Sequence, residues 1–89
     1  MRRVTQRRQF DSDVKRQKRR GKNLLELVAA VELLAEEGEL PPAYRPHKLS
    51  GEWKGLWECH IDPDWLLVYV VAKDEIQLIR TGTHDDLFG

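Results

Sequence analysis

A single cysteine, Cys59, leaves this 89-residue chain without an intramolecular disulfide or a CxxC metal knuckle, and fits a reducing cytoplasm. No apolar run is long enough to span a membrane, and the basic N-terminus lacks the hydrophobic region of a signal peptide. There is no HExxH helix, no internal repeat and no low-complexity tract. A net charge is also missing, because 15 Lys and Arg balance 15 Asp and Glu. What remains is 40% hydrophobic and 34% charged, the composition of one globular domain over residues 1–89.

The zero charge conceals an asymmetry. Ten of the 15 basic residues lie in Met1–Lys22, where only Asp11 and Asp13 oppose them. A block this dense attracts a phosphate backbone or an acidic peptide.

Arg3–Arg7 reads as a short edge strand. A first helix is expected to start near Asp11 or Ser12, either of which can cap free N–H groups, and to run to about Arg20, where Gly21 stops it. Phe10 and Val14 give it only a thin apolar stripe, so most of it is expected to face solvent or a partner. In the second helix, capped by Asn23 and ended by Gly38, Leu24, Leu27, Val28, Val31, Leu34 and Ala35 recur at the spacing of one buried face. Pro41, Pro42 and Pro46 make Leu40–Gly55 a loop.

Leu56–Ile61 alternates so that Trp57, Cys59 and Ile61 face the core while Glu58 and His60 face outward. Pro63 cannot continue a strand, and Trp65–Ala72, aromatic and β-branched, reads as the central strand. Glu75–Thr81 returns as the last strand, with Arg80 on the face of Ile76 and Leu78. Thr81–His84 then bends, leaving Leu87 and Phe88 at the end. The expected class is α+β: a helical hairpin on a mainly antiparallel four-stranded sheet, in the order β-α-α-β-β-β.

His47, His60 and His84 all fall near element ends, where an antiparallel arrangement can bring them together with Asp64 and Arg80. Imidazoles suit proton transfer near neutrality. A guanidinium can clamp a phosphate, or else pair with Glu58 or Asp62. His60, Asp62 and Asp64 could crowd a cation, but without a metal-binding motif the expectation is a metal-free site with no cofactor. Arg16, Lys18, Arg19, Arg20 and Lys22 are expected across the sheet from that site.

Three ordered blocks carry a resemblance: Leu49-x-Gly51-x-Trp53-Lys54-Gly55, His60-x-x-Pro63-Asp64-Trp65-x-Leu67-x-Tyr69, and Arg80-Thr81-Gly82-Thr83-His84-x-x-Leu87-Phe88. Together they resemble the YafQ branch of the RelE superfamily, bacterial toxins of type II toxin–antitoxin pairs. The resemblance implies a cytoplasmic endoribonuclease that cuts messenger RNA in the decoding site of the 70S ribosome and is neutralised by a cognate antitoxin. It further implies that the toxin–antitoxin complex binds operator DNA through the antitoxin. Carried over by position, His47, His60, Asp64, Arg80 and His84 are the catalytic candidates, and Phe88 matches the terminal aromatic. For such an activity Trp65 and Phe88 are candidates for stacking on an unpaired base, and Arg16, Lys18, Arg19, Arg20 and Lys22 are expected to grip ribosomal RNA without reaching the scissile phosphate. The neutral total charge departs from related toxins, which are often basic.

Two other readings stand beside this one. A ParE-type toxin shares the scaffold and binds DNA gyrase without cutting RNA, although it has no need of three histidines with Asp64 and Arg80. A plain nucleic-acid-binding module would use the basic helix alone.

Overall fold

The computed structural model describes residues 1–89. In chain order the elements are β1 (Arg3–Gln6), α1 (Arg8–Arg19), α2 (Leu24–Glu37), β2 (His47–Lys48), β3 (Trp57–Asp62), β4 (Trp65–Val71), β5 (Glu75–Gly82) and α3 (His84–Phe88). Single 3-10 turns form at Pro42–Tyr44 and Gly51–Trp53. The sheet order is β1-β5-β4-β3-β2, parallel between β1 and β5 and antiparallel elsewhere. The α+β class and the central place of Trp65–Val71 are as expected. The sheet has five strands rather than four, because His47–Lys48 pairs with Glu58 and Trp57 inside the proline-rich segment read as a loop.

The first helix starts at Arg8, ahead of the expected Asp11 or Ser12. Arg7 N–H donates to the Leu78 carbonyl (3.0 Å), so the strand feeds straight into the helix and no side chain caps it. Sheet pairing has displaced the capping preference. Most of this helix is exposed, as expected, but Phe10, Asp13 and Gln17, spaced three and four apart, form one buried stripe against the sheet.

The second helix matches its reading closely. Asn23 Oδ1 accepts from Leu25 N–H (3.0 Å), and Gly38 ends the helix at φ 75°, a left-handed conformation that a Cβ would strain. Its buried face centres on Leu27, Ala30 and Leu34, which leaves Val28 half exposed.

Both faces of β4 are covered. Trp65, Leu67 and Tyr69 pack under the helices with Phe10, Leu34 and Ile76, while Leu66 and Val68 meet Leu87 on the opposite face. Leu87 therefore does not hang free. Thr83 and Asp86 form a reciprocal capping box that starts α3, and burial of Leu87 contributes about 2 kcal/mol to holding that helix on the sheet.

Candidate active site

Cross-strand partners share a face of the sheet, so the register assembles the site. His47 pairs with Glu58, Glu58 with Val68, and Val68 with Arg80. That row spans four strands and about 14 Å at the backbone, three strand spacings of roughly 4.8 Å. In the next row His60 pairs with Leu66, and Leu66 with Gly82. His47, Glu58, His60 and Arg80 thus share the face away from the helical hairpin, floored by Leu66 and Val68.

Arg80 reaches that face by an irregularity. Plain alternation puts it with Ile76 and Leu78, but the β4–β5 register shifts between Val68 and Tyr69, whose partners are Arg80 and Leu78. Ile79 is the extra residue, and it moves Arg80 across the sheet. Its guanidinium pairs neither with Glu58 nor with Asp62. It reaches over the margin of β5 to Asp13, which accepts from Nε at 2.7 Å and Nη2 at 3.2 Å. Asp13 is fully buried and also accepts the Thr81 main-chain N–H at 3.1 Å, standing in where β1 has already ended. The Asp13 hydrogen bond raises the Arg80 pKa against a desolvation cost, with the charges of Asp13 and Asp86 adding.

Glu58 meets a different side chain. His47 Nε2 lies 3.2 Å from Glu58 Oε1, and His47 Nδ1 lies 3.2 Å from the Arg45 carbonyl oxygen. Glu58 is buried and His47 half exposed, so the carboxylate steadies an accessible imidazole. His60 is partly buried, and its Nδ1 has no partner.

α3 supplies the remaining wall. His84 stands exposed at its first position, with its ring centroid 5.2 Å from that of Phe88. Phe88 in turn meets Trp53 edge to face at 5.0 Å. Trp65 is not part of this wall. It has no exposed surface, and its Nε1 donates to Thr81 Oγ1 at 2.8 Å, so no base can stack on it.

The basic end of α1 is not remote from α3, as the sequence reading expected. Arg20 donates to both carboxylate oxygens of Asp86, with Nη2 to Oδ1 at 3.0 Å, and Arg16 Nη1 lies 3.9 Å from Oδ1. Gln17 Nε2 adds a contact to Asp86 Oδ2 at 3.4 Å. The Asp86 hydrogen bond raises the Arg20 pKa against desolvation, and the charges of Asp86 and Asp64 add to it. Asp64 is exposed in the β3–β4 turn, where its N–H donates to Asp62 Oδ1 at 2.9 Å. Lys22 ties that turn to the helices through Asp62 at 3.3 Å and sits 5.9 Å from the Trp65 ring centre. Lys18 and Arg19 point into solvent.

Three polar residues that shape the site escaped the sequence reading. Asp13 and Gln17 fall on the helical stripe of Phe10, a spacing that marks them for burial. Asp86 stands three residues after Thr83, the signature of a capping box. No group of three or more His, Cys, Asp or Glu side chains is arranged to hold a metal ion. Cys59 is buried, with its thiol pushed up to about 12 chiefly by desolvation, which keeps it protonated and unreactive. The face thus combines proton-transfer groups, an oriented guanidinium and an aromatic wall.

Comparison with known proteins gives a consistent result. Residues 2–89 match the family described as bacterial toxin of type II toxin-antitoxin system, YafQ. The mRNA interferase toxin YafQ of Escherichia coli K12 is 39% identical over 82 residues, 91% of this chain and 89% of that protein. The crystal structure of YafQ from E. coli BL21(DE3) superposes with a TM-score of 0.93 at 36% identity, over the whole of both chains. YafQ in the crystal structure of the E. coli DinJ–YafQ complex gives 0.91 at 37% identity, again over both chains in full.

Proposed function

The chain belongs to the YafQ family of bacterial type II toxins, and from that premise we propose that it is an endoribonuclease cleaving messenger RNA in the decoding site of the ribosome. The observation that carries this reading is the placement of His47, His60 and Arg80 on one sheet face, walled by His84 and Phe88.

The chemistry follows from those groups without a metal ion. The 2′-hydroxyl beside the scissile phosphate attacks phosphorus, and the bond to the departing 5′-oxygen breaks, leaving a 2′,3′-cyclic phosphate. A base takes the hydroxyl proton and an acid protonates the leaving oxygen, each step worth roughly 10²–10⁴-fold. His47, His60, Asp64 and His84 are the candidates for these two roles. Arg80 donates to the phosphoryl oxygens, where charge grows in the transition state. Phe88 offers its ring to an unpaired base. Lys18 and Arg19, exposed on α1, meet ribosomal RNA.

The named partner in the DinJ–YafQ complex supports control by a cognate antitoxin, which covers the open face and carries the complex to operator DNA. The site of action is then the cytoplasm. Incubation with 70S ribosomes translating a defined transcript tests the reading. Cuts within the decoded codon, with 2′,3′-cyclic phosphate and 5′-hydroxyl ends, are expected. 5′-Phosphate ends would rule out attack by the 2′-hydroxyl, and intact transcripts would rule out the nuclease.

A further inference from the structure

We propose that Asp13, in the middle of α1, is a positioning residue that aims Arg80 at the scissile phosphate. The inference rests on the reading above that Arg80 meets the phosphoryl oxygens. Asp13 is the only acidic residue on the buried stripe of its helix, with no exposed surface. One carboxylate oxygen takes Arg80 Nε (2.7 Å) and the Thr81 main-chain N–H (3.1 Å), while the other takes Arg80 Nη2 (3.2 Å). Because a donor of the β5 backbone holds the same carboxylate, it behaves as part of the sheet margin.

The consequence lies in the plane of the guanidinium. Of its five N–H donors, Asp13 engages the Nε–H and one on Nη2, leaving both Nη1 protons and one on Nη2 for an anion. Two-point contact fixes a planar fork in a way a lysine ammonium cannot reproduce. The bulge at Ile79 makes this contact necessary. It turns the Arg80 side chain onto the open face, where Val68 of β4 lies on one side of its long stem and β1 has already ended on the other. Asp13 also offsets the positive charge, so Arg80 acts through directed hydrogen bonds more than through its field.

A double-mutant cycle in single-turnover cleavage on ribosomes tests the proposal, with thermal unfolding recorded for each variant. Asp13→Asn keeps the volume but replaces one acceptor with a donor. It is expected to lower kcat by about 10–100-fold with KM unchanged, the scale of loss that follows a misplaced reacting group. Adding Asp13→Asn to Arg80→Ala is expected to cost no further rate, because the residue it aims is gone. Wild-type kcat in Asp13→Asn would overturn the proposal, as would an equal loss in both backgrounds, the mark of a purely structural role. If Asp13→Asn is unfolded at the assay temperature, Asp13→Glu is read in its place. That variant keeps the charge and displaces the carboxylate by one methylene, and the same two outcomes decide. Should Arg80→Ala itself cleave at the wild-type rate, the functional reading fails first, and that result is separable from the others.

Discussion

Arg20 and Asp86, 66 positions apart, close the end of α1 onto α3 through two hydrogen bonds, one from each guanidinium Nη. The same α3 presents His84. The basic helix and the proposed site are therefore contiguous, and mutations along α1 separate into two classes.

Lys18 and Arg19 form the first class. Neutralising both is expected to weaken ribosome association and flatten its logarithmic salt dependence by about 1.4–1.8, at roughly 0.7–0.9 per phosphate contact. Cleavage by saturated complexes stays unchanged. Arg20→Ala belongs to the second class: it is expected to slow cleavage at saturation by about tenfold as His84 loses its support. Single-turnover rates across a salt series measure both, and equal behaviour of the two variants would refute the division.

Asp86 gives a pH signature. Its pKa is held well below the usual carboxylate range, first by the Arg20 hydrogen bond, against desolvation, and further by the Thr83 N–H and hydroxyl. A depressed folded-state pKa adds stability that is complete above the unfolded value and is lost as pH falls through the folded one. The gap in melting temperature between wild type and Asp86→Asn is thus expected to hold steady near neutrality and to shrink below about pH 4. Thermal melts across acid pH test this, and a gap undiminished in strong acid would exclude Asp86 as its source.

Trp65 and Phe88 are expected to respond oppositely. Trp65→Phe removes the buried hydrogen bond to Thr81 and some packing, a stability loss of about 2 kcal/mol read by urea unfolding, with KM unchanged. Phe88→Ala is expected to weaken mRNA engagement by about 1–3 kcal/mol, the range of base–aromatic stacking. A raised KM in Trp65→Phe would contradict the enclosure of that indole.

Burial of Cys59 makes a chemical prediction. With its thiol pushed up to about 12, alkylation by iodoacetamide at mildly alkaline pH is expected to proceed only as fast as the chain opens, and to become rapid in denaturant. Mass spectrometry of a time course decides, and rapid labelling under native conditions would count against this burial.

What could be read from the residues divides along physical lines. The second helix and the central strand were legible because their signals are local: three-four periodicity with Asn23 and Gly38 at its ends, and a β-branched run after Pro63. Arg80 was misplaced because a one-residue bulge reverses every face after it and leaves no mark in composition. Its partner is not legible because Asp13 lies 67 positions away, a charged residue on the one buried stripe of a mostly exposed helix. Trp65 looks like a stacking surface by type alone. Only the folded core, where it packs with residues of both helices and bonds to Thr81, shows that it is enclosed.

The parallel pairing of β1 with β5 has a bearing on biosynthesis. Strand β1, the seat of α1 and the partner of Asp13 all depend on residues from Glu75 onward. A chain leaving the ribosomal exit tunnel can form α2 early, but it has no edge for β1 and no Arg80 for Asp13 until β5 has emerged. Contacts of such wide sequence separation condense late and together. A nascent copy therefore cannot assemble the open face before β5 is free of the tunnel.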